Sequence, residues 1–281
     1  MVSPVADADL GPAPYTNSDL SDYDGKVVVV KIGGSDEARS ASTFEDIVYL
    51  KTKGAKVVVV HGGGKALSYW LELTGRKTGF VEGLRITSAE TLEVAVMVFA
   101  GKVNKEIAAR LTVLGLRAVG ISGIDAGLLR AERQTQPPGL GLVGKIVAVD
   151  TDLLDGLIDS GMTPVVAPIA ADKNGQIYNV NADTVAAEIS AALQASCLVF
   201  VTDVPGVLDA SGELIDTVTP LIARRLRKDG TISGGMIPKV EAALAPLGNV
   251  GESHVVDGSI AHALIDQLQH GNGPGTRFIL Q

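Results

Sequence analysis

The sequence predicts an α/β fold: a mainly parallel central sheet, doubly wound by helices. Three observations carry this. Short β-branched runs, apolar at both parities, recur along the chain, as strands buried on both faces require. Stretches with helical periodicity and capping signals separate them. The 33 glycines, against only 4% aromatic residues, suit many tight strand-to-helix turns.

The elements follow in order. Residues 1–24 carry Pro4, Pro12 and Pro14 and read as a disordered or loosely docked extension. With no basic n-region and no apolar h-region they do not form a signal peptide. Residues 26–32 (KVVVVKI) and 56–61 (KVVVVH) read as strands, with a helix between them that Thr43 can cap and Gly54 ends. Thr87 with Glu90 reads as a capping box for a helix over 88–114. Its Leu92, Val96, Phe99, Val103, Ile107 and Leu111 form one apolar stripe. Val94, Met97 and Val98 widen that stripe beyond what a sheet face needs, which predicts a homodimer through this helix. Residues 117–122, 145–149, 163–169 and 198–202 read as further strands. Thr219-Pro220 and Gly230 frame another helix. Asp172-Lys173-Asn174-Gly175 is a turn signal, and it divides an N-terminal lobe, 25–172, from a C-terminal lobe, 173–281.

Composition narrows the function classes. Hydrophobic residues make up 46% and charged residues 20% of the 281 positions, a globular balance that excludes a disordered chain. The formal charge is 24 − 32 = −8, so the chain lacks the footprint of a nucleic-acid binder. No segment approaches the roughly 18 consecutive apolar residues of a membrane span, and a cytoplasmic protein is the default expectation. The single cysteine, Cys197, excludes a disulfide framework and reads as a buried core thiol. The four histidines, at 61, 254, 262 and 270, show no metal spacing, so no protein-held metal is expected.

Chemistry concentrates in glycine-rich and polar segments. Lys31-Ile32-Gly33-Gly34-Ser35 and His61-Gly62-Gly63-Gly64 share one grammar: apolar strand, basic residue, glycines, helix. Both sit at the C-terminal end of a strand, where ligands bind in open α/β sheets. Each reads either as an anion cradle or as a bare tight turn. Residues 139–144 match a dinucleotide fingerprint but follow a Pro-Pro loop and lead into a strand. They therefore read as a plain loop. Asn179, Asn181 and Asp183 lie at spacing two before an Ala-rich helix, with Asp183 either an N-cap or a site residue. Arg85 either grips a carboxylate or is solvated. Lys239 stands in an early helical turn, where the macrodipole disfavours a cation.

Taken together, KIGGS at 31–35, HGGG at 61–64, GLRIT at 83–87, AGKVNKE at 100–106, NVNAD at 179–183, TDVPGVLD at 202–209 and ISGGMIPKV at 232–240 resemble the amino acid kinase family. The resemblance runs from about residue 25 to 276. It implies an open αβα sandwich that binds an acyl amino acid in its N-terminal lobe and ATP, carrying Mg2+, in its C-terminal lobe. Within the family it points to phosphorylation of the side-chain carboxylate of N-acetyl-L-glutamate, the second step of arginine biosynthesis. By the matching motifs, Lys31 and Lys239 would stabilise the transferring phosphoryl group, with Asp183 orienting both. Gly33, Gly34 and Gly63 would donate N–H groups to phosphate and attacking carboxylate. Gly63 and Gly64 would line the acyl amino acid pocket, and Arg85, helped by Asn179 and Asn181, would hold the α-carboxylate. Thr202, Asp203, Val204, Pro205, Gly206, Val207, Thr231, Ile232 and Ser233 would line the nucleotide site. The resemblance leaves two neighbouring readings: a kinase for a carrier-protein-linked aminoadipate or glutamate, and a non-catalytic nucleotide- or arginine-sensing regulator. Asp36-Glu37 departs from the family's apolar continuation after KIGGS. The prolines of 1–24 argue against the N-terminal helix through which arginine-inhibited members form hexamers.

Overall fold

A computed structural model describes residues 19–33, 40–232, 236–270 (His270 by its backbone) and 273–281. A 3₁₀ turn, Ser21–Tyr23, precedes β1 (Val27–Ile32), α1 (Ala41–Thr52), β2 (Lys56–His61) and α2 (Gly64–Leu73). A hairpin of β3 (Phe80–Val81) and β4 (Leu84–Arg85) leads into one long helical rod. The rod consists of α3 (Ala89–Val96), a wide π turn over Met97–Val103, and α4 (Asn104–Val113). Next come β5 (Ala118–Ser122), β6 (Leu129–Arg133), β7 (Gly144–Val149), α5 (Asp152–Asp159), β8 (Thr163–Ala167), β9 (Ile169–Ala171) and β10 (Ile177–Asn179). The remainder is α6 (Ala182–Ala192), β11 (Cys197–Thr202), β12 (Thr217–Val218), α7 (Pro220–Lys228), α8 (Met236–Leu244), β13 (Glu252–Asp257), α9 (Ala263–His270) and β14 (Thr276–Phe278).

Among the described residues the main sheet has eight strands in the order β12-β14-β13-β11-β1-β2-β8-β5, parallel throughout except between β13 and β14. Successive residues of β1 and β2 feed two separate cores. Val28, Val30 and Ile32 pack on one face with Val57 and Val59, while Val29 packs on the other with Val58 and Val60. That is why these runs are apolar at both parities. Four more strands form a second sheet, β10-β9-β6-β7. Both sheets share the polypeptide around Pro168, which ends the single strand expected over 163–169. Proline donates no ladder hydrogen bond, so β8 stops at Ala167 and the chain restarts in the other sheet as β9.

Caps shift by a few residues. Ser40 caps α1, its hydroxyl accepting from Thr43 N–H at 3.2 Å, so Thr43 lies inside the helix. Ser88 caps α3 in the same way through Thr91 N–H. Thr87 is thereby released, and its hydroxyl donates to Arg85 O at 2.9 Å. Val94 and Val98 are buried in the core, so the apolar surplus expected of the rod shrinks to Met97, which is 59% exposed. Residues 139–143 form a loop that leads into β7, the loop-to-strand order expected. Gly141 adopts φ +75 where a Cβ would lie 2.2 Å from Thr87 O, so only glycine lets this loop close against the Thr87 backbone. No helix among the described residues is long and apolar enough to cross a membrane.

The end of the expected extension is docked. Leu20 is buried, and the Tyr23 hydroxyl donates to Glu252 Oε1 at 2.9 Å, while Arg277 Nε donates to Glu252 Oε2 at 2.6 Å. Residues 1–18 lie outside the described residues. Cys197 is a fully buried thiol, as expected, and with Glu252 and His254 it sets ligand-type atoms within 4.8 Å of one another. The hydrogen bonds around His254 argue against a metal there. Gly275 N–H occupies Gln267 Oε1, so Gln267 Nε2 donates to His254 Nδ1. The imidazole proton therefore sits on Nε2, the atom a metal would need, facing Glu252 at 3.3 Å.

Burial pushes the Glu252 carboxyl up, but the His254 imidazole, the Tyr23 hydroxyl and the Arg277 guanidinium outweigh it and hold it at about 2, against an ordinary 4.5. A carboxyl depressed on folding stabilises the native state above its unfolded pKa and loses that effect as pH falls through the folded one. Glu252→Gln is therefore expected to cost about 3 kcal/mol at pH 7. The gap to wild type should close as pH falls from 4.5 toward 2, measured by urea unfolding across that range. A gap that does not narrow contradicts the assignment.

Candidate active site

The C-terminal ends of β1, β2 and β11 converge with the N-terminal ends of α2 and α6. β1 ends in Lys31-Ile32, and the alternation of the strand that buries Ile32 turns Lys31 the other way. Lys31 is only 7% exposed, and its Nζ lies 2.7 Å from Asp183 Oδ1. Lys239, one turn into α8, brings its Nζ to 3.8 Å from Asp183 Oδ2. One carboxylate thus stands between two ammonium groups that reach it from different elements. Burial pushes the Asp183 carboxyl up, and the charges of Lys31 and Lys239 more than reverse it, leaving the group ionised below its ordinary range. Burial pulls the Lys239 ammonium down, and Asp183 only partly restores it.

Asp183 is not the cap of α6. Asn181 is, its side-chain oxygen accepting from Asp183 N–H at 2.8 Å and Thr184 N–H at 3.1 Å. That leaves the Asp183 carboxylate for the lysines, in the first turn of α6 where the helix dipole favours an anion. It also commits the Asn181 oxygen, so only its amide N–H groups can meet a ligand.

Beside this triad lies a cleft of about 160 Å3. Gly63, Gly64, Arg85, Asn179 and Asn181 line it together, with Phe80 and Phe99 among its apolar walls. It therefore draws on both sides of the lobe boundary expected near 172. Gly63 must be glycine, because a Cβ there would lie 2.8 Å from the Phe99 ring. The α2 N-terminus that begins here leaves its first N–H groups without partners in the helix. Arg85 is 8% exposed and held from behind: Nη2 donates to Gly64 O at 2.9 Å and to Ser68 Oγ at 2.8 Å, and the guanidinium stacks 4.5 Å from the Phe80 ring centre. Asn179 Nδ2 donates to Thr87 Oγ1 at 3.1 Å. Two anchored cationic and amide groups in an apolar cleft suit a small carboxylate ligand.

Other expected site residues fall differently. Gly33 N–H donates to Val201 O at 2.9 Å, so the β1–β11 ladder has taken the donor assigned to phosphate. Gly34, Ser233 and the Asp36-Glu37 pair lie outside the described residues. Thr202 is buried with its hydroxyl donating to Asp203 Oδ1 at 3.3 Å, while Asp203 is exposed and Val204 and Pro205 are half-buried beyond the end of β11. Gly206 adopts φ +143 against Thr276, whose hydroxyl accepts from Val207 N–H at 2.8 Å. The Val207 and Ile232 side chains belong to the core and their N–H groups donate to Thr276 Oγ1 and Leu226 O, so these two residues can meet a nucleotide only through their backbone carbonyls. Thr231 N–H donates to Asp229 Oδ1. Sequence reasoning missed Ser68, Phe80, Phe99 and Asn104. Of these, Ser68 was findable, four residues after Gly64 and so on the same face of α2. A larger hollow, about 650 Å3, opens on the second sheet near Arg130, Asp150 and Asp172, and none of the expected site residues that the structure describes lines it.

Known proteins resemble this chain over most of its length. Residues 26–257 match the model of the amino acid kinase family. The acetylglutamate kinase of Campylobacter curvus is 43% identical over 276 residues, covering 97% of this chain and 96% of that one. That of Halorhodospira halophila is 43% identical over 270 residues, with 90% of each chain covered. Among solved structures, N-acetylglutamate synthase from Neisseria gonorrhoeae, complexed with coenzyme A and N-acetyl-glutamate, aligns at a TM-score of 0.81 and 25% identity. The alignment covers 92% of this chain and 61% of that longer one. Carbamate kinase from Giardia lamblia shares the fold at a TM-score of 0.66 and 18% identity, covering 92% of this chain and 99% of that one. The chain belongs to the amino acid kinase family.

Proposed function

We propose that this chain transfers the γ-phosphoryl group of ATP to the side-chain carboxylate of N-acetyl-L-glutamate, the second step of arginine biosynthesis. The observation that carries the reading is Asp183 bridging Lys31 and Lys239 beside a cleft that Arg85 lines. Two ammonium groups aimed at one point suit a transferring phosphoryl group, whose catalysis rests on positioning and charge compensation. Lys31 and Lys239 meet the charge on that group, and Asp183 keeps both in place. Arg85, with the Asn179 and Asn181 amides, holds the α-carboxylate. Gly63 and the α2 N-terminus face the attacking carboxylate and the phosphate. No general base is needed, since the nucleophile is already deprotonated at neutral pH.

ATP brings Mg2+ with it as part of the substrate. It occupies the side formed by Thr202 to Gly206 and the backbone of Val207, Thr231 and Ile232, within a C-terminal lobe of residues 173–281. Residues 25–172 contribute most of the acyl amino acid site. The intact lysine pair favours an enzyme over a sensing regulator. A cytoplasmic homodimer completes the reading. Exposed Tyr69 and Leu73 on α2 and Met97 on the adjoining rod supply apolar surface for the contact.

An ADP-release assay with N-acetyl-L-glutamate, glutamate, aspartate and aminoadipate tests the substrate. N-acetyl-L-glutamate should be turned over far faster than the free amino acids, and equal rates would refute the reading. Lys31→Ala and Lys239→Ala should each lower kcat roughly 10²–10³-fold. Arg85→Ala should chiefly raise KM for N-acetyl-L-glutamate, because the α-carboxylate keeps its charge during the reaction. A wild-type kcat in either lysine variant contradicts the mechanism.

Activity should also fall on the alkaline side as the Lys239 ammonium, already lowered by burial, loses its proton. Asp183→Asn removes the charge that raises it, so the alkaline limb of residual activity should move to lower pH. An unmoved or upward-shifted limb counts against the pairing. Light scattering at micromolar concentration should give twice the chain mass, and a monomer would exclude the dimer.

A further inference from the structure

The geometry points to His61 as a positioning residue that aims the Gly63 N–H into the cleft, an inference that rests on the function proposed above. His61 ends β2 and is fully buried. Its Nδ1 lies 2.8 Å from Gly62 O and its Nε2 lies 3.1 Å from Asn104 Nδ2. The protonation state follows from Asn104, which is also fully buried. Asn104 Nδ2 faces the carbonyl oxygens of Val165 at 2.8 Å and Ile121 at 3.1 Å, while its Oδ1 accepts from Lys105 Nζ at 3.1 Å. Two carbonyls on one side and an ammonium on the other allow a single orientation of the amide. Nδ2, whose two N–H groups are shared among three acceptors, can only donate, so His61 Nε2 beside it must be bare, and the ring proton sits on Nδ1 and goes to Gly62 O.

That bond sets a peptide plane. In a trans peptide the C=O of Gly62 and the N–H of Gly63 point in opposite directions. With the carbonyl drawn toward the buried imidazole, the Gly63 N–H turns away from the sheet, toward the cleft that Gly63 lines. Gly62 N–H is fixed as well, donating to Ile32 O at 2.9 Å. Glycine has no side chain to hold this plane, so a neighbour must do it. Asn104 is itself seated by Gly120, where a Cβ would lie 2.1 Å from Asn104 Oδ1. It follows directly on the π turn ending at Val103, and such turns recur at functional sites.

The test joins a spectroscopic and a kinetic readout on the full chain. 15N-histidine NMR of the wild type should show His61 protonated at Nδ1 and bare at Nε2, and the opposite tautomer overturns the proposal. His61→Asn places an amide N–H where Nδ1 stands and should keep kcat within about tenfold of wild type. His61→Gln reaches only the Nε2 position and should lower kcat roughly 10²-fold, as loss of an aimed donor does, with KM for ATP little changed. Equal loss in both variants, or a wild-type kcat in His61→Gln, overturns the proposal. Wild-type turnover of N-acetyl-L-glutamate tests the underlying function separately.

Discussion

Asp183 is the constraint on which the rest of the site depends. Two lysines brought from a central strand and a distant helix repel each other, and both lie in a mostly buried place. Without a carboxylate between them, burial would favour losing at least one of the protons. A buried ion group of this kind is poor evidence for stability, since its desolvation opposes its attraction. Its value is geometric: it fixes two cations toward one point. The architecture serves that end. β1 is hydrogen-bonded on both sides, by β2 and β11, which makes it a rigid arm for Lys31. Asn181 takes over the capping of α6 and so frees the Asp183 carboxylate.

The same division of labour runs through the cleft. Groups that face the ligand are held from behind by groups that do not. Ser68 and Gly64 O hold Arg85, Thr87 accepts from Asn179, and His61 sets the peptide after it. In this way an acidic chain, at formal charge −8, concentrates a few cations where the proposed reaction would bring its two anionic substrates together.

Much of this was legible in the sequence, and the exceptions have physical causes. The strands 26–32 and 56–61 were readable because burial on both faces leaves an unbroken apolar run. Lys31, Asp183 and Lys239 were readable because ordered motifs over most of the chain resemble one family, while none of the three was decisive by itself. Gly33 was misjudged because a motif names a residue without saying which partner its N–H takes, and here the ladder took it. The surplus on the long rod was misjudged because stripe width in sequence does not tell whether a second element covers it. Val94 and Val98 turned out to be covered. Residues 19–24 looked polar and loose, yet Tyr23 finds Glu252, which lies far off in sequence. Phe99 carries no local signal of a site, and Asn104 lies in the AGKVNKE motif without a role that the motif assigns it, since only the folded rod sets one against Gly63 and the other against His61.

In the proposed reaction Asp183 acts on the chemical step by holding two ammonium groups, and not by binding either substrate. Rapid chemical quench of a single turnover at saturating ATP and N-acetyl-L-glutamate, on wild type and Asp183→Asn, tests it most directly alongside calorimetric affinities for both substrates. Phosphoryl transfer should slow by roughly 10²–10³-fold with both affinities kept within a few-fold. Unchanged transfer, or a loss confined to substrate affinity, would contradict it.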